Sequence, residues 1–167
     1  WTNGVNHATD LPFTRMLSGP MDYTPGVFQL NNFRYDSPET KNIDKGAIVP
    51  STIGKELALY VVYYSPMQMA ADLPKHYSKH MDAFAFIKNV PVDWSERKIL
   101  NSEFREYVCM ARKDKYSENW YVGGITNENE RDLKIDFSFL ESGKEYTMKM
   151  YLDTQNTHWK ENPMEYQ

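Results

Sequence analysis

The chain contains 167 residues and carries 19 basic and 23 acidic side chains, which give a formal net charge of −4. Charges of both signs are mixed along the chain, so the basic stripe that marks a nucleic-acid-binding protein is missing. Hydrophobic residues make up 41% of the chain and charged residues 25%, a composition typical of a globular protein and not of a disordered one. The length suits one ordinary domain or two small ones.

A short helix and a strand are predicted close to the amino terminus. Residues 1–7 indicate a loop. Residues 10–17 predict a helix, with Asp10 as its N-cap and Gly19 as its end. Residues 20–24 predict a short strand that closes in a Pro-Gly turn. When such a strand belongs to an α/β barrel, the active-site residues lie at its loop end.

Asp22 lies at the end of this predicted strand and is the acidic residue of most interest. It either hydrogen-bonds a polar ligand at the strand mouth or accepts hydrogen bonds from its own turn. The aromatic rings nearby either pack in the core or stack on the apolar faces of a ligand such as a sugar. These rings are Trp1, Tyr23, Phe28 and Phe33.

A long polar stretch without periodicity follows, over residues 29–51. Loops of this length are uncommon in compact domains and are usually functional or disordered. Because this stretch follows the predicted strand, we expect it to lie at the same loop end of that strand as Asp22.

Two helices are predicted next, over residues 52–65 and 77–89. The first follows a Ser-Thr pair that can cap it. His76 and His80 stand four positions apart. They are either a zinc-binding pair on one helix face or two solvated surface histidines.

The hydrophobic pattern changes from helical spacing to alternation near residue 92, which predicts a domain boundary there. The alternation predicts a meander of about five antiparallel strands, and hence one or both sheets of a sandwich. The polar tail from residue 157 contains no closing strand, so we expect an incomplete sandwich. The predicted strands cover residues 97–104, 106–112, 119–126, 133–139 and 146–152.

Several sequence stretches resemble one enzyme family. The longest is the string LPFTRMLSGPMDYTPGVF, residues 11–28. Further stretches follow in order at residues 54–69, 84–91 and 120–126. Together they resemble glycoside hydrolase family 97, the bacterial α-glucosidases and α-galactosidases.

The resemblance implies an α+β chain in two parts. Enzymes of that family have an N-terminal β-sandwich, a central (β/α)8 barrel and a C-terminal β-domain. Residues 1–92 are then expected to be the C-terminal part of the catalytic barrel, with its last strand and closing helices. Residues 93–167 are expected to be most of an antiparallel, sandwich-like β-domain.

The resemblance also implies an exo-acting α-glycosidase that cleaves α-linked oligosaccharides with two carboxyl groups and with calcium. The family's catalytic and calcium-binding glutamates precede the part corresponding to Trp1, and no glutamate lies before Glu39. We therefore assign no catalytic residue and no metal ligand, and expect this chain alone to be inactive without the preceding domains. The expected substrate-binding residues are Asp22, Tyr23, Trp1 and Phe28.

A second hypothesis treats the β-domain as a non-catalytic module that binds carbohydrate or serves as a structural support. Its candidate rings are Trp94, Trp120 and Tyr121. The resemblance implies a periplasmic or secreted protein, with no nucleic-acid or membrane partner. The residues of the chain leave open the choice between glucosides and galactosides and between inversion and retention.

Overall fold

The computed structural model describes residues 4–31 and 48–167. The α-helices are α1 (Gly4–Asp10), α2 (Ile53–Val62), α3 (Pro74–Tyr77) and α4 (Met81–Asn89), and the strands are β1 (Trp94–Glu103), β2 (Tyr107–Asp114) and β3 (Trp120–Thr126). The strands form an antiparallel sheet in the order β1-β2-β3. None of the described helices has the length and apolar character that crossing a membrane requires.

The first helix starts earlier than predicted. Helix α1 begins at Gly4, so the loop predicted at the amino terminus is wrong from that residue onward. Asp10 is the last residue of α1 and makes no capping bond to the turn that follows, so its N-cap assignment is also wrong. Pro12 has no N–H to continue an α-helix, and the chain proceeds as two 3₁₀ turns, Leu11–Phe13 and Arg15–Ser18.

Residues 20–24 do not form the predicted strand. The segment lacks helix and strand structure, and the Met21 N–H donates to the Tyr64 carbonyl oxygen at 3.0 Å. A strand requires a hydrogen-bonded ladder with a neighbour, and no described residue before Trp94 belongs to a strand. The assignment of residues 1–92 to a barrel therefore stays a prediction.

Both predicted helices of the middle region form, the second as α4 with the short α3 ahead of it. Helix α2 is closed by side chains at both ends. At its start, Thr52 Oγ1 accepts a hydrogen bond from the Lys55 N–H at 3.1 Å, as a capping residue should. At its end, the Arg112 guanidinium of β2 donates to the carbonyl oxygens of Val61 (2.6 Å) and Val62 (3.4 Å).

One face of the sheet packs closely on α2. Gly123 of β3 permits this approach, because a Cβ there would lie 2.8 Å from the Ala58 carbonyl oxygen and 2.9 Å from the Val61 Cβ. The core between the two elements contains Leu59, Val62, Val108, Met110 and Ile125.

The antiparallel sheet is confirmed, but three strands form among the described residues where about five were predicted. Residues 133–139 and 146–152 alternate in sequence yet are not strands. A strand needs a hydrogen-bonded ladder as well as alternation. In the described chain these segments show one reciprocal pair, Leu152 and Gln167, whose N–H and carbonyl groups bond at 2.9 Å in both directions, and no ladder extends from it. Residues 4–31 and 48–167 therefore contain no second sheet of a sandwich. Apolar side chains in the later segment are about half exposed: Tyr146 (45%), Met148 (59%), Met150 (54%) and Leu152 (46%).

The carboxy-terminal tail returns to the amino end of α2. The Ile53 N–H donates to the Pro163 carbonyl oxygen at 3.1 Å. The Thr52 hydroxyl donates to the Asp153 carboxylate at 3.0 Å. The tail thus contacts one end of the helix, while Arg112 contacts the other.

Candidate functional site

An open depression lies at the segment that the sequence singles out. It is lined by Asp22, Tyr23, Thr24 and Ala71. Asp22 is exposed, whereas Tyr23 is half-buried. The structure places these two residues together at the surface, and their role in binding substrate stays a prediction.

Tyr23 is held by the core beneath it. Its ring stands edge-on against Tyr63, with centroids 4.8 Å apart and planes at 88°. The Tyr63 hydroxyl in turn donates to the Ala8 carbonyl oxygen at 2.8 Å. Burial raises the pKa of Tyr23 to about 12, and the Glu56 carboxylate acts in the same direction. The Tyr23 phenol therefore stays neutral near pH 7 and can donate a hydrogen bond.

Phe28 does not face the depression. Its side chain is 1% exposed, and its ring packs edge-on against Tyr77 at 5.0 Å and His80 at 5.9 Å. The substrate-binding assignment of Phe28 is wrong, because a ring buried in the core has no free face for a sugar. Trp1 and Phe33 lie outside the described residues, as does most of the long polar stretch.

Glu56 is a buried carboxylate that the sequence analysis did not single out. It lies on α2 and accepts hydrogen bonds from the N–H groups of Gly26 (2.8 Å) and Val27 (3.1 Å). Burial raises the pKa of Glu56, although the Ser51 hydroxyl, those N–H groups and Lys55 act in the opposite direction. A sequence signal does exist, because Glu56 shares a helix face with the buried apolar residues Ile53, Leu57 and Tyr60.

Asp72 is a second carboxylate of this kind. Its Oδ2 accepts the N–H groups of Phe28 and Gln29, each at 2.8 Å. Its Oδ1 lies 2.5 Å from His76 Nδ1 and accepts the Leu73 N–H at 2.7 Å. Burial alone would raise the pKa of Asp72, but the hydrogen bonds from His76 and the backbone outweigh it and lower the pKa.

The histidine pair belongs to the packing of this region. His76 is 4% exposed and lies against Asp72, so its description as a solvated surface histidine is wrong. His80 is half-buried. Within residues 4–31 and 48–167, no group of three or more His, Cys, Asp and Glu residues could hold a metal ion.

A small cavity of about 20 Å³ lies behind Tyr23, lined also by Ser51, Lys55 and Glu56. Pockets for small organic ligands usually measure about 300–1,000 Å³, so this cavity is too small for a sugar.

Lys55 joins three elements through the same region. Its Nζ donates to the carbonyl oxygens of Val5 in α1 (3.0 Å) and Thr126 in β3 (2.9 Å). Burial lowers the pKa of Lys55 to about 8, and the nearby Glu56 and Asp153 act in the opposite direction. A buried amine with two carbonyl acceptors ties the helical part to the sheet.

The candidate rings of the β-domain are half-buried and pack on neighbouring rings. Trp94 stands edge-on to Tyr121, with centroids 5.6 Å apart and planes at 68°. Tyr121 also meets Phe86 of α4 at 6.2 Å. Trp120 packs against Phe139 at 4.8 Å. These contacts favour a packing role for the rings over a flat platform for sugars.

Comparisons with known proteins show which family this chain is similar to. The family model described as "Glycosyl-hydrolase 97 C-terminal, oligomerisation" matches residues 93–167. A glycoside hydrolase family 97 enzyme from Pseudoalteromonas sp. strain K8 is similar over nearly the whole chain. Its complexes with panose and with acarbose each give 42% identity and a TM-score of 0.84, covering 97% of this chain and 24% of that one. The chain corresponds to the C-terminal portion of glycoside hydrolase family 97 proteins.

Curated relatives agree with this family 97 assignment, and the resemblance predicted from the sequence is confirmed. The chain is 36% identical to the retaining α-galactosidase of Bacteroides thetaiotaomicron, over 92% of this chain and 22% of that protein. It is 32% identical to a probable retaining α-galactosidase of Streptomyces bingchenggensis, over 73% of this chain and 17% of that protein. The chain thus spans about a fifth of the length of these relatives. A β-arabinopyranosidase, at 24% identity and a TM-score of 0.61, shares the fold.

Proposed function

We propose that this chain is part of an exo-acting family 97 α-glycosidase, in which Asp22 and Tyr23 face the sugar. The observation that carries this proposal is the 42% identity over 97% of the chain to an enzyme solved with panose and with acarbose. The retaining α-galactosidases among the relatives support α-galactosides as a further substrate class. A periplasmic or secreted location is part of the same proposal and rests on the family resemblance.

The acid and the base are proposed to lie in the part of family 97 enzymes that this chain does not cover. Glycosidases of this type need two carboxyl groups that flank the bond being cut. Glu56 and Asp72 do not suit this role, because Glu56 already accepts two backbone N–H groups and Asp72 accepts three. The described residues also do not group as ligands for the calcium ion that the family resemblance implies.

Asp22 and Tyr23 are proposed to orient the substrate by hydrogen bonding. A sugar hydroxyl both donates and accepts, an ionised carboxylate only accepts, and a neutral phenol can donate. The exposed Asp22 beside the neutral Tyr23 therefore offers both kinds of partner at one surface. This role concerns binding and orientation and moves no proton.

The test is an Asp22→Ala substitution in a longer family 97 enzyme that contains this chain. Loss of a hydrogen bond to a charged group predicts a fall in kcat/KM of roughly 10- to 100-fold on a nitrophenyl α-glucoside or α-galactoside. The control is Asp132→Ala, which removes an exposed acid of the β-domain. Kinetics of Asp22→Ala that match those of the control would reject the role.

The 167-residue chain alone should release no nitrophenol from these substrates. Release at the rate of a longer enzyme would reject the proposed placement of the acid and base.

Oligomerisation is a second candidate function, which the description of the matching family names. The observation that favours it is the exposed strip formed by Tyr146, Met148, Met150 and Leu152. We propose that a second copy covers this strip. Sedimentation of the chain across a concentration series should then show self-association that Met148→Glu abolishes. Thr147→Glu, which places the same charge at the adjacent position, is the control. A monomer at all concentrations would reject the proposal.

A further inference from the structure

The backbone that follows Tyr23 is held by side chains rather than by a neighbouring strand. The N–H groups of residues 26, 27, 28 and 29 all donate to carboxylates, two to Glu56 and two to Asp72. Hydrogen bonds to charged acceptors are among the stronger ones in proteins, so these four consecutive N–H groups hold the backbone of the segment firmly against the two carboxylates.

The carbonyl groups of the same segment are also held. The Tyr60 hydroxyl donates to the Pro25 carbonyl oxygen at 3.1 Å, and the Tyr77 hydroxyl donates to the Gly26 carbonyl oxygen at 2.7 Å. Gly26 has a φ of 88°, and a Cβ there would lie 2.4 Å from the Tyr60 hydroxyl. The turn therefore needs glycine, and its position is fixed from both sides of the backbone.

Each carboxylate is itself fixed to a rigid element. Glu56 lies within α2 and is 6% exposed. The Asp72 side chain is fully buried, and its other oxygen contacts His76 of α3. The segment is thus positioned by two helices of the packed core.

We propose that Glu56 and Asp72 are positioning residues that set the location of Asp22 and Tyr23 against the sugar. This proposal rests on the proposed function. Asp22 lies between two fixed points of the backbone. The Met21 N–H before it donates to the Tyr64 carbonyl oxygen at 3.0 Å, and the Gly26 N–H after it donates to Glu56 at 2.8 Å, so release of Gly26 removes one of the two anchors. The two acids contribute to binding through the backbone and do not touch the substrate.

The first experiment measures amide hydrogen exchange in the 167-residue chain by NMR. Glu56→Ala should speed exchange at Gly26 and Val27 by at least about ten-fold, and Asp72→Ala should do the same at the next two residues. Glu56→Gln keeps the shape and one oxygen acceptor, so a smaller change is expected. Asp132→Ala is the control. Uniform acceleration throughout α2 and the sheet would indicate a general loss of stability and overturn the proposal.

The second experiment is a double-mutant cycle on kcat/KM in a longer family 97 enzyme. If Glu56 acts through Asp22, the effects of Glu56→Gln and Asp22→Ala should not multiply, because the second change removes the contact that the first misplaces. Effects that multiply fully would overturn the positioning role. Unchanged kinetics in Asp22→Ala alone would instead overturn the proposed function, while the exchange pattern would still support the hold on the backbone.

Discussion

Replacement of Gly123 by alanine tests how closely β3 packs on α2. The new Cβ would lie 2.8 Å from the Ala58 carbonyl oxygen and 2.9 Å from the Val61 Cβ. Both contacts are shorter than packed carbon and oxygen atoms allow, and one partner is backbone, so the helix must move. Overpacking of this kind costs about 1–3 kcal/mol. The loss of unfolded-state freedom on replacing glycine offsets about 0.4–1 kcal/mol of this.

From the middle of these two ranges, the expected net loss in the free energy of unfolding is about 1.3 kcal/mol, measured by urea titration of the 167-residue chain. For a chain of this size each kcal/mol corresponds to a fall in Tm of roughly 2–4 °C. Gly124→Ala is the matched control, because its new Cβ would meet the movable end of Leu133 at 3.2 Å. Equal stability of the two variants would refute the argument that Gly123 is required for the helix contact.

Three further predictions concern stability. Arg112→Met should lower the free energy of unfolding by about 1–3 kcal/mol in urea titration, because the carbonyl groups at the end of α2 lose their donor; an equal loss in the exposed Arg97→Met would contradict this. Lys55 has a pKa of about 8 in the folded chain against 10.5 unfolded, so the unfolded state binds more protons in between. The stability of the native chain relative to Lys55→Met should therefore rise from pH 8 to pH 10, and a flat difference would contradict the burial argument. Phe28→Ala should cost about 3–5 kcal/mol by the same titration, whereas Leu73→Ala, at a side chain 53% exposed, should cost far less.

The elements with strong local periodicity could be predicted from the sequence. Helix α2 has apolar residues at helical spacing and the capping residue Thr52 just before it. The three strands form close to their predicted positions. Strand β3 also alternates between buried and exposed positions, whereas β2 is buried at five consecutive positions, from Val108 to Arg112, so its alternation in sequence does not reproduce its burial.

The segments that failed depend on partners distant in the sequence. Residues 146–152 alternate as well as any strand, but in the described chain their pairing stops at the two hydrogen bonds between Leu152 and Gln167 and no ladder forms. Residues 20–24 are held by a contact to Tyr64 and by no ladder. Alternation indicates which side chains share a face, and it does not say whether a second strand lies alongside.

The candidate site was predicted in part. The position of Asp22 and Tyr23 at a surface opening follows from the turn residues after them. Phe28 could not be placed, because an aromatic residue in a loop packs inward or outward according to the surrounding fold. Glu56 was overlooked since its backbone partners lie 29 and 30 positions away. A buried acid on an apolar helix face is nevertheless a readable sign of such a partner.

The closure of α2 at both ends has a consequence for how the chain folds during synthesis. At its carboxy end, the Val61 carbonyl oxygen accepts a hydrogen bond from Arg112, which lies 51 positions later in the chain. At its amino end, the Thr52 hydroxyl donates to Asp153, which lies 101 positions later. A ribosome that has released only the helical part has therefore made a helix whose amino end has the local Thr52 cap but whose last carbonyl groups still face water. The contacts that close α2 therefore come from beyond residue 93, where the family match begins, and the helix gains all of them only after β2 and the tail have emerged.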